Sequence, residues 1–114
     1  MSKFWNQINN LKHNYPEITC LLENNDGVDG EVFLVSLKRN ENARKGMGRE
    51  FLKKLCFIFD SYGYNCELRV EEWCSVDKLV SFYKTVGFEE IDREEYDYVT
   101  MRRVYNRGHI IGGV

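Results

Sequence analysis

Proline occurs once and histidine twice in this chain of 114 residues, which leaves no room for a proline-rich linker or a histidine-built metal site. No stretch approaches the roughly twenty apolar residues needed to span a bilayer, and the opening MSKFWNQINNLKHN lacks the apolar core of a signal peptide. The expectation is a cytoplasmic protein with no membrane partner. An excess of one charge is missing too. A net charge of -2 offers no general attraction to nucleic acid, whose binders carry a basic patch or stripe. Cys20, Cys56, Cys66 and Cys74 show no C-x-x-C spacing, and His13 and His109 lie far apart. Packed free thiols are therefore expected, and no metal. What the chain does hold is apolar mass, 43% of its residues, with 14% aromatic. At this length that implies one domain around one hydrophobic core. No internal repeat is present.

Residues 31–59 carry the strongest local pattern. VFLVSL at 32–37 is almost continuously apolar and β-branched or aromatic, which reads as a strand covered on both faces and therefore central. From Met47 onward Phe51, Leu52, Leu55, Ile58, Phe59 and Tyr62 recur at helical spacing, with Arg49, Glu50, Lys53, Lys54 and Asp60 on the other face. Gly63 stands where a left-handed cap closes a helix. Upstream, Ser2 caps a short amphipathic helix over 2–15, built on Phe4, Trp5, Ile8 and Leu11 and stopped by Pro16. A strand over 18–23 and the turn NNDGVDG at 24–30 then lead by a hairpin into the central strand.

Downstream, Tyr64, Cys66, Leu68 and Val70 alternate with polar residues, the period of a half-covered strand. A crossover helix makes it parallel to 32–37, so residues 31–70 form a β-α-β unit. Its first turn lies at the carboxyl end of a strand, where open α/β sheets bind ligands. Ser75 starts a second helix with Val76, Leu79, Val80, Tyr83 and Val86 on one face and Gly87 as terminator. A last antiparallel hairpin joins 88–91 to 96–103 around Asp92-Arg93-Glu94-Glu95. Residues 104–114, with Gly108, Gly112 and Gly113, show no pattern and are read as a tail.

Between the central strand and its helix stands Ala43-Arg44-Lys45-Gly46-Met47-Gly48. Two glycines let backbone approach a ligand, and the first N–H groups of a helix have no internal acceptor, so the turn suits an anion. Arg44, Lys45 and Arg49 add charge of the sign a phosphate needs. A Walker loop is excluded because no Gly-Lys-Ser/Thr follows, and G-x-G-x-x-G because Phe51 takes the third glycine position.

The turn resembles motif A of the GNAT acetyltransferase superfamily, Arg/Gln-x-x-Gly-x-Gly/Ala. Gly46 and Gly48 fill the small positions; Ala43 replaces the usual Arg or Gln, and Arg44 brings a guanidinium one place later. Phe82-Tyr83-Lys84-Thr85-Val86-Gly87-Phe88 is similar to the Tyr-x-x-x-Gly-Phe that closes motif B, with Val76 and Leu79 where Asn and Ala are usual. The likeness covers residues 31–103. It implies a three-layer α-β-α domain with a mixed sheet over 1–103, comprising an N-terminal helix at 1–15 and a cofactor-binding core at 31–88, followed by the tail 104–114. It also implies acetyl-CoA as cosubstrate. Backbone of Val35, Ser36 and Leu37 would hold the pantetheine arm between splayed strands, and Arg44, Lys45, Gly46, Met47, Gly48 and Arg49 the pyrophosphate. Longer members place further helices before the hairpin as a wall of the acceptor site, and here there is room for one.

Acetyl transfer to an amine needs a base, a polarised carbonyl and an acid for the leaving thiolate. The resemblance assigns the base to Glu31, which opens the central strand on the face of Phe33, Val35 and Leu37. Desolvation there would raise its pKa; the competing reading is a solvated strand end. Tyr83, before Gly-Phe, would be the acid, and the competing reading is a packed ring. Glu71, Glu72, Glu89, Glu90, Asp92, Glu94, Glu95 and Asp97 would favour a cationic acceptor if they ring its entrance, with Trp73 and Tyr96 beside them, or they form a solvated face. The leading expectation is an N-acetyltransferase acting on a protein lysine, a peptide N-terminus or a small cationic amine, with a homodimer as one way to complete the site. The alternative is a weak or inactive CoA-binding or protein-interaction module.

Overall fold

Ser2 accepts a hydrogen bond from the Trp5 amide through its Oγ at 3.2 Å and starts helix α1 (Lys3–Asn14). A computed structural model describes residues 2–25, 27–71, 75–94 and 98–106. After α1 come β1 (Ile18–Asn24), β2 (Glu31–Arg39), α2 (Met47–Tyr62), β3 (Asn65–Val70), α3 (Val76–Lys84), β4 (Glu89–Glu94) and β5 (Tyr98–Arg103). The strands form one mixed sheet in the order β1-β2-β3-β5-β4, with β2 and β3 parallel and the other pairs antiparallel. The β-α-β unit and its antiparallel flanks stand as the periodicities imply. Among the described residues no helix is long and apolar enough to cross a membrane.

A single core lies between the helices and one face of the sheet. Val32 and Leu34 of β2, Cys66, Leu68 and Val70 of β3, and Val99 and Met101 of β5 meet Phe51, Leu52, Leu55 and Phe59 of α2 and Val76, Val80 and Tyr83 of α3. Phe4 brings α1 to the same side, its ring stacked on Tyr64 at 3.8 Å between centroids and near Phe59 at 6.2 Å. Each such ring or aliphatic chain taken from water is worth about 1.5–3 kcal/mol, so the helical face holds the sheet. The five-stranded mixed sheet and three helices agree with the α/β fold expected. The opposite face carries Leu21, Phe33, Val35, Glu67, Arg69 and Arg102, which are exposed or half-buried.

Three expectations are corrected. β2 is not covered on both faces: Val32 and Leu34 are buried, while Phe33 is half-buried and Val35 is 45% exposed. Asp60, assigned to the solvated side of α2, is 0% exposed, because Arg103 reaches it from β5 with two hydrogen bonds of 2.7 and 2.9 Å. Asp92, Arg93 and Glu94 belong to strand β4 rather than a turn, paired with Thr100, Val99 and Tyr98.

A bulge in β2 sets up everything that follows. Leu22 pairs with Leu34 and Leu21 with Ser36, so Val35 has no partner on β1. An inserted residue of this kind bends its strand and shifts the alternation beyond it. Leu37 therefore pairs with buried Cys20 and leaves the face shared by Glu31, Phe33 and Val35.

Candidate functional site

Parallel pairing of β2 with β3 runs Glu31–Asn65, Val32–Cys66, Phe33–Glu67 and Leu34–Leu68, and stops there. Beyond that point, Ser36 to Arg39 of β2 pair only with β1 among the described residues, and Val35 pairs with neither strand. The edge of β2 toward β3 thus offers main-chain donors and acceptors to whatever enters the gap. A cavity of about 310 Å³ fills that gap, lined by Val35, Ser36, Leu37 and Lys38 on one side, Leu68 to Glu71 on the other, and Leu79 and Tyr83 of α3. A second cavity of about 390 Å³ continues past Leu37, Lys38 and Leu79 to Arg39, Gly46, Gly48, Arg49, Lys78 and Phe82. The two share Leu37, Lys38 and Leu79 and form one path from the glycine turn into the split sheet.

Gly46 and Gly48 serve that path differently. Gly46 is the left-handed N-cap of α2, with φ +86°, so the backbone itself requires glycine. Gly48 lies within the helix, where glycine costs about 1 kcal/mol relative to alanine, yet a Cβ there would meet nothing within 4 Å. No contact within the chain explains its lack of a side chain. A ligand lying against the helix mouth would, and residues 46–49 fit a pyrophosphate in that respect. The Met47 amide already donates to the Arg44 carbonyl at 3.1 Å, which leaves the amides of Gly48 and Arg49 facing the mouth.

Several expected binding residues are placed elsewhere. Met47 is 8% exposed and belongs to the core, so it contributes no side chain to the cavity. Arg44 donates to Glu50 Oε2 at 2.8 Å, and the Tyr15 hydroxyl donates to the same oxygen at 2.9 Å. Those two bonds, Tyr15 first, hold the Glu50 carboxyl below its ordinary pKa. Arg44 is thus committed to a carboxylate of the chain, and neither it nor Lys45 lines either cavity. The cationic lining comes from Lys38, Arg39, Arg49 and Lys78. Lys78 had no sequence signal, because it reaches the cavity through α3; Phe82, quoted beside motif B, joins it there.

Tyr83 is where its spacing puts it, on α3 facing the cavity, 9% exposed. Its ring packs edge-on against Phe82 and Phe88, with centroids 5.3 and 5.6 Å away. It is both a packed ring and a wall of the cleft. Glu31 is at the other end of the seam, four residues before Val35 and so about 13 Å away along the strand. Arg102 donates to both its oxygens, at 2.7 and 3.1 Å, and Asn65 donates to Oε2 at 2.7 Å. The expected rise in pKa is corrected: Arg102 first, then Asn65, outweigh desolvation and hold Glu31 below its ordinary value.

The acidic run divides. Glu71 lines the cavity with Tyr83, whereas Glu89, Glu90, Asp92 and Glu94 sit on β4 at the far edge of the sheet. Arg93 clasps Glu90 there at 2.7 and 3.1 Å. Asp26, Glu72, Trp73, Cys74, Glu95, Tyr96, Asp97 and His109, with the rest of 107–114, lie outside the described residues. Cys20, Cys56 and Cys66 are buried free thiols; burial lifts Cys20 to about 11, Cys56 to about 12 and Cys66 well above its ordinary value. None is a nucleophile at neutral pH.

No family model and no curated protein matches this sequence. Solved structures do match. Arabidopsis thaliana Naa50, in complex with the bisubstrate analogue CoA-Ac-MVNAL, aligns with TM-score 0.58 and 21% identity over 77% of this chain and 64% of that one. Ard1 from Thermoplasma volcanium aligns with TM-score 0.62 and 17% identity over 88% of this chain and 78% of that one. PaiA N-acetyltransferase from Thermoplasma acidophilum, in complex with coenzyme A, aligns with TM-score 0.51 and 26% identity over 68% and 48%. The chain therefore spans less than two thirds of the Naa50 and PaiA chains.

Proposed function

We propose that this chain, which has the fold of the GNAT N-acetyltransferases, is an acetyl-CoA-dependent N-acetyltransferase that acts on a polypeptide amine. The observation that carries the reading is the split between β2 and β3 beyond Leu34–Leu68, open at one end to a glycine-bearing helix mouth and lined at the other by Tyr83. Bound acetyl-CoA supplies the thioester. The amides of Gly48 and Arg49, with Lys38, Arg39, Arg49 and Lys78, meet its phosphates, and the free edge of Val35 to Leu37 meets its amide arm. As the new C–N bond forms and the C–S bond breaks, Tyr83 gives its phenolic proton to the departing sulfur. The proton lost by the amine goes to Glu71, the carboxylate lining the same cavity, rather than to Glu31, which Arg102 and Asn65 occupy.

A polypeptide acceptor is favoured by the sheet face beside the cleft, where Val35 and Arg69 are exposed among the described residues. The peptide joined to CoA in the Naa50 complex lends support. The second reading, a CoA-binding or protein-interaction module without turnover, is favoured by Ala43 and by the diversion of Arg44 to Glu50. Titration with acetyl-CoA followed by mass spectrometry of peptides incubated with it decides. Binding with acetylated product supports the transferase, binding without acetylation or hydrolysis supports the module, and absence of binding overturns both CoA readings.

A further inference from the structure

A hydrogen-bonded path runs from α2 through β5 to the backbone of Tyr83. Arg103 is 5% exposed and Asp60 0%. Two guanidinium nitrogens of Arg103 donate to the two oxygens of Asp60 at 2.7 and 2.9 Å, and the third, Nε, donates to the Val86 carbonyl at 2.6 Å. Val86 in turn donates its amide to the Tyr83 carbonyl at 3.2 Å, and Phe88 donates to the same carbonyl at 3.3 Å. Gly87 allows the turn beside Arg103, since its φ of +100° is one that side-chain-bearing residues rarely adopt. At the start of α3, Ser75 makes no side-chain cap hydrogen bond among the described residues.

We propose that the Asp60–Arg103 pair is a positioning device that sets the end of α3, and with it Tyr83, against the split between β2 and β3. The proposal rests on the transferase reading and adds a residue pair that touches neither cosubstrate nor amine. A buried ion pair is a poor source of stability, since apolar replacements of similar volume are often neutral or better. What the pair does supply is direction. The planar fork fixes three acceptors at once, on α2 and after α3, and a lysine cannot reproduce that geometry. α2 also carries the glycine turn at its other end, so one rigid helix relates the phosphate end of the cleft to the hydroxyl end.

Two variants test this, because truncating one partner would strand the other charge in the interior. Arg103→Lys keeps the charge and loses the fork; Asp60→Leu with Arg103→Met removes both charges together. Each should bind acetyl-CoA within about twofold of the parent, while kcat falls roughly ten- to a hundredfold, the scale of a misplaced catalytic group. In a Tyr83→Phe background the same changes should lower kcat by no more than about twofold, since the device acts through the hydroxyl that is already gone. Unchanged kcat in the folded variants, or an undiminished fall in the Tyr83→Phe background, overturns the proposal. A separate readout does not need turnover. With carbon-13 tyrosine, the Tyr83 ring signal, assigned by its loss in Tyr83→Phe, should move in both variants. If it stays put, positioning is refuted; if it moves while the parent acetylates nothing, the transferase reading fails and the positioning stands.

Discussion

The two ends of the β2–β3 seam are built from the same strands and behave in opposite ways. At the closed end, Glu31 to Leu34 and Asn65 to Leu68 satisfy one another in the ladder, and Arg102 reaches over β3 to hold Glu31 at 2.7 Å and Glu67 at 3.1 Å. Asn25 adds a bond to Glu67 at 3.2 Å, and Asn65 accepts the Tyr105 amide at 2.9 Å. Polar groups there find partners within the chain. At the open end the pairing stops, a Cβ on Gly48 would meet no described neighbour, and four cations line a cavity to which no described carboxylate contributes. Lys38, Arg39, Arg49 and Lys78 are all exposed, so water solvates them and an anion entering the cavity meets four positive charges.

That contrast breaks most sharply at Tyr83. Tyr83→Phe keeps the ring between Phe82 and Phe88 and removes one oxygen, so kcat should fall at least tenfold, up to the roughly 10²–10⁴-fold of a positioned acid, with the melting temperature little changed. Steady-state kinetics beside a thermal melt checks both halves. Next comes Gly48→Leu, which fills the helix mouth. Acetyl-CoA affinity should weaken on the order of a hundredfold, about 2.7 kcal/mol, by titration calorimetry. The same change should stabilise the fold by about 0.5–1 kcal/mol, since leucine suits a helix better and a Cβ there meets no described atom within 4 Å. Gly46→Val is a poorer probe because its positive φ would strain the backbone.

At the closed end the expected effects change kind. Arg102→Met leaves Glu31 and Glu67 without their shared partner and should cost about 1–2 kcal/mol in urea unfolding, with acetyl-CoA affinity unchanged. Glu31→Gln should be the mildest. Its folded pKa lies below the ordinary 4.5, so its contribution to stability is present above that value and is lost as pH falls through the folded one. The variant should flatten the acid limb of stability measured below pH 4.5 and leave the rate against pH parallel to the parent, whereas Glu71→Gln should shift that profile. A displaced rate profile for Glu31→Gln would return the base to the closed end.

Local periodicity and motif spacing made the β-α-β unit, the cap at Ser2, the glycine turn and the place of Tyr83 legible, because each depends on neighbours within a few residues. What escaped was decided at a distance. Asp60 reads as a solvated helix position until Arg103, 43 residues later, arrives over it. Glu31 reads as an acid entering apolar surroundings, and Arg102 reverses the sign of its shift. Arg44 reads as a phosphate ligand, but Tyr15 and Arg44 converge on Glu50 from two sides of the turn. Asp60 and Glu31 acquired partners from another element, which no window along the chain contains; Arg44 has its acceptor six residues away, and only Tyr15, 35 residues from Glu50, lies outside the window there. The gap between β2 and β3 was available only through the family likeness, and the bulge beside it is a property of two strands compared.

That bulge behaves like a dislocation in a crystal. One extra residue, Val35, sits in β2 where β1 has none, and the row of backbone bonds to β3 ends beside it. Removing Val35 would let Leu34 and Ser36 face Leu22 and Leu21 as consecutive pairs and leave the rest of the β1 register untouched. A sheet healed in this way would keep its core, its helices and the glycine turn, and would lose the opening they surround. A single codon would then separate the split sheet from a continuous one, and the proposed activity would be lost with little change in a measurement of folding.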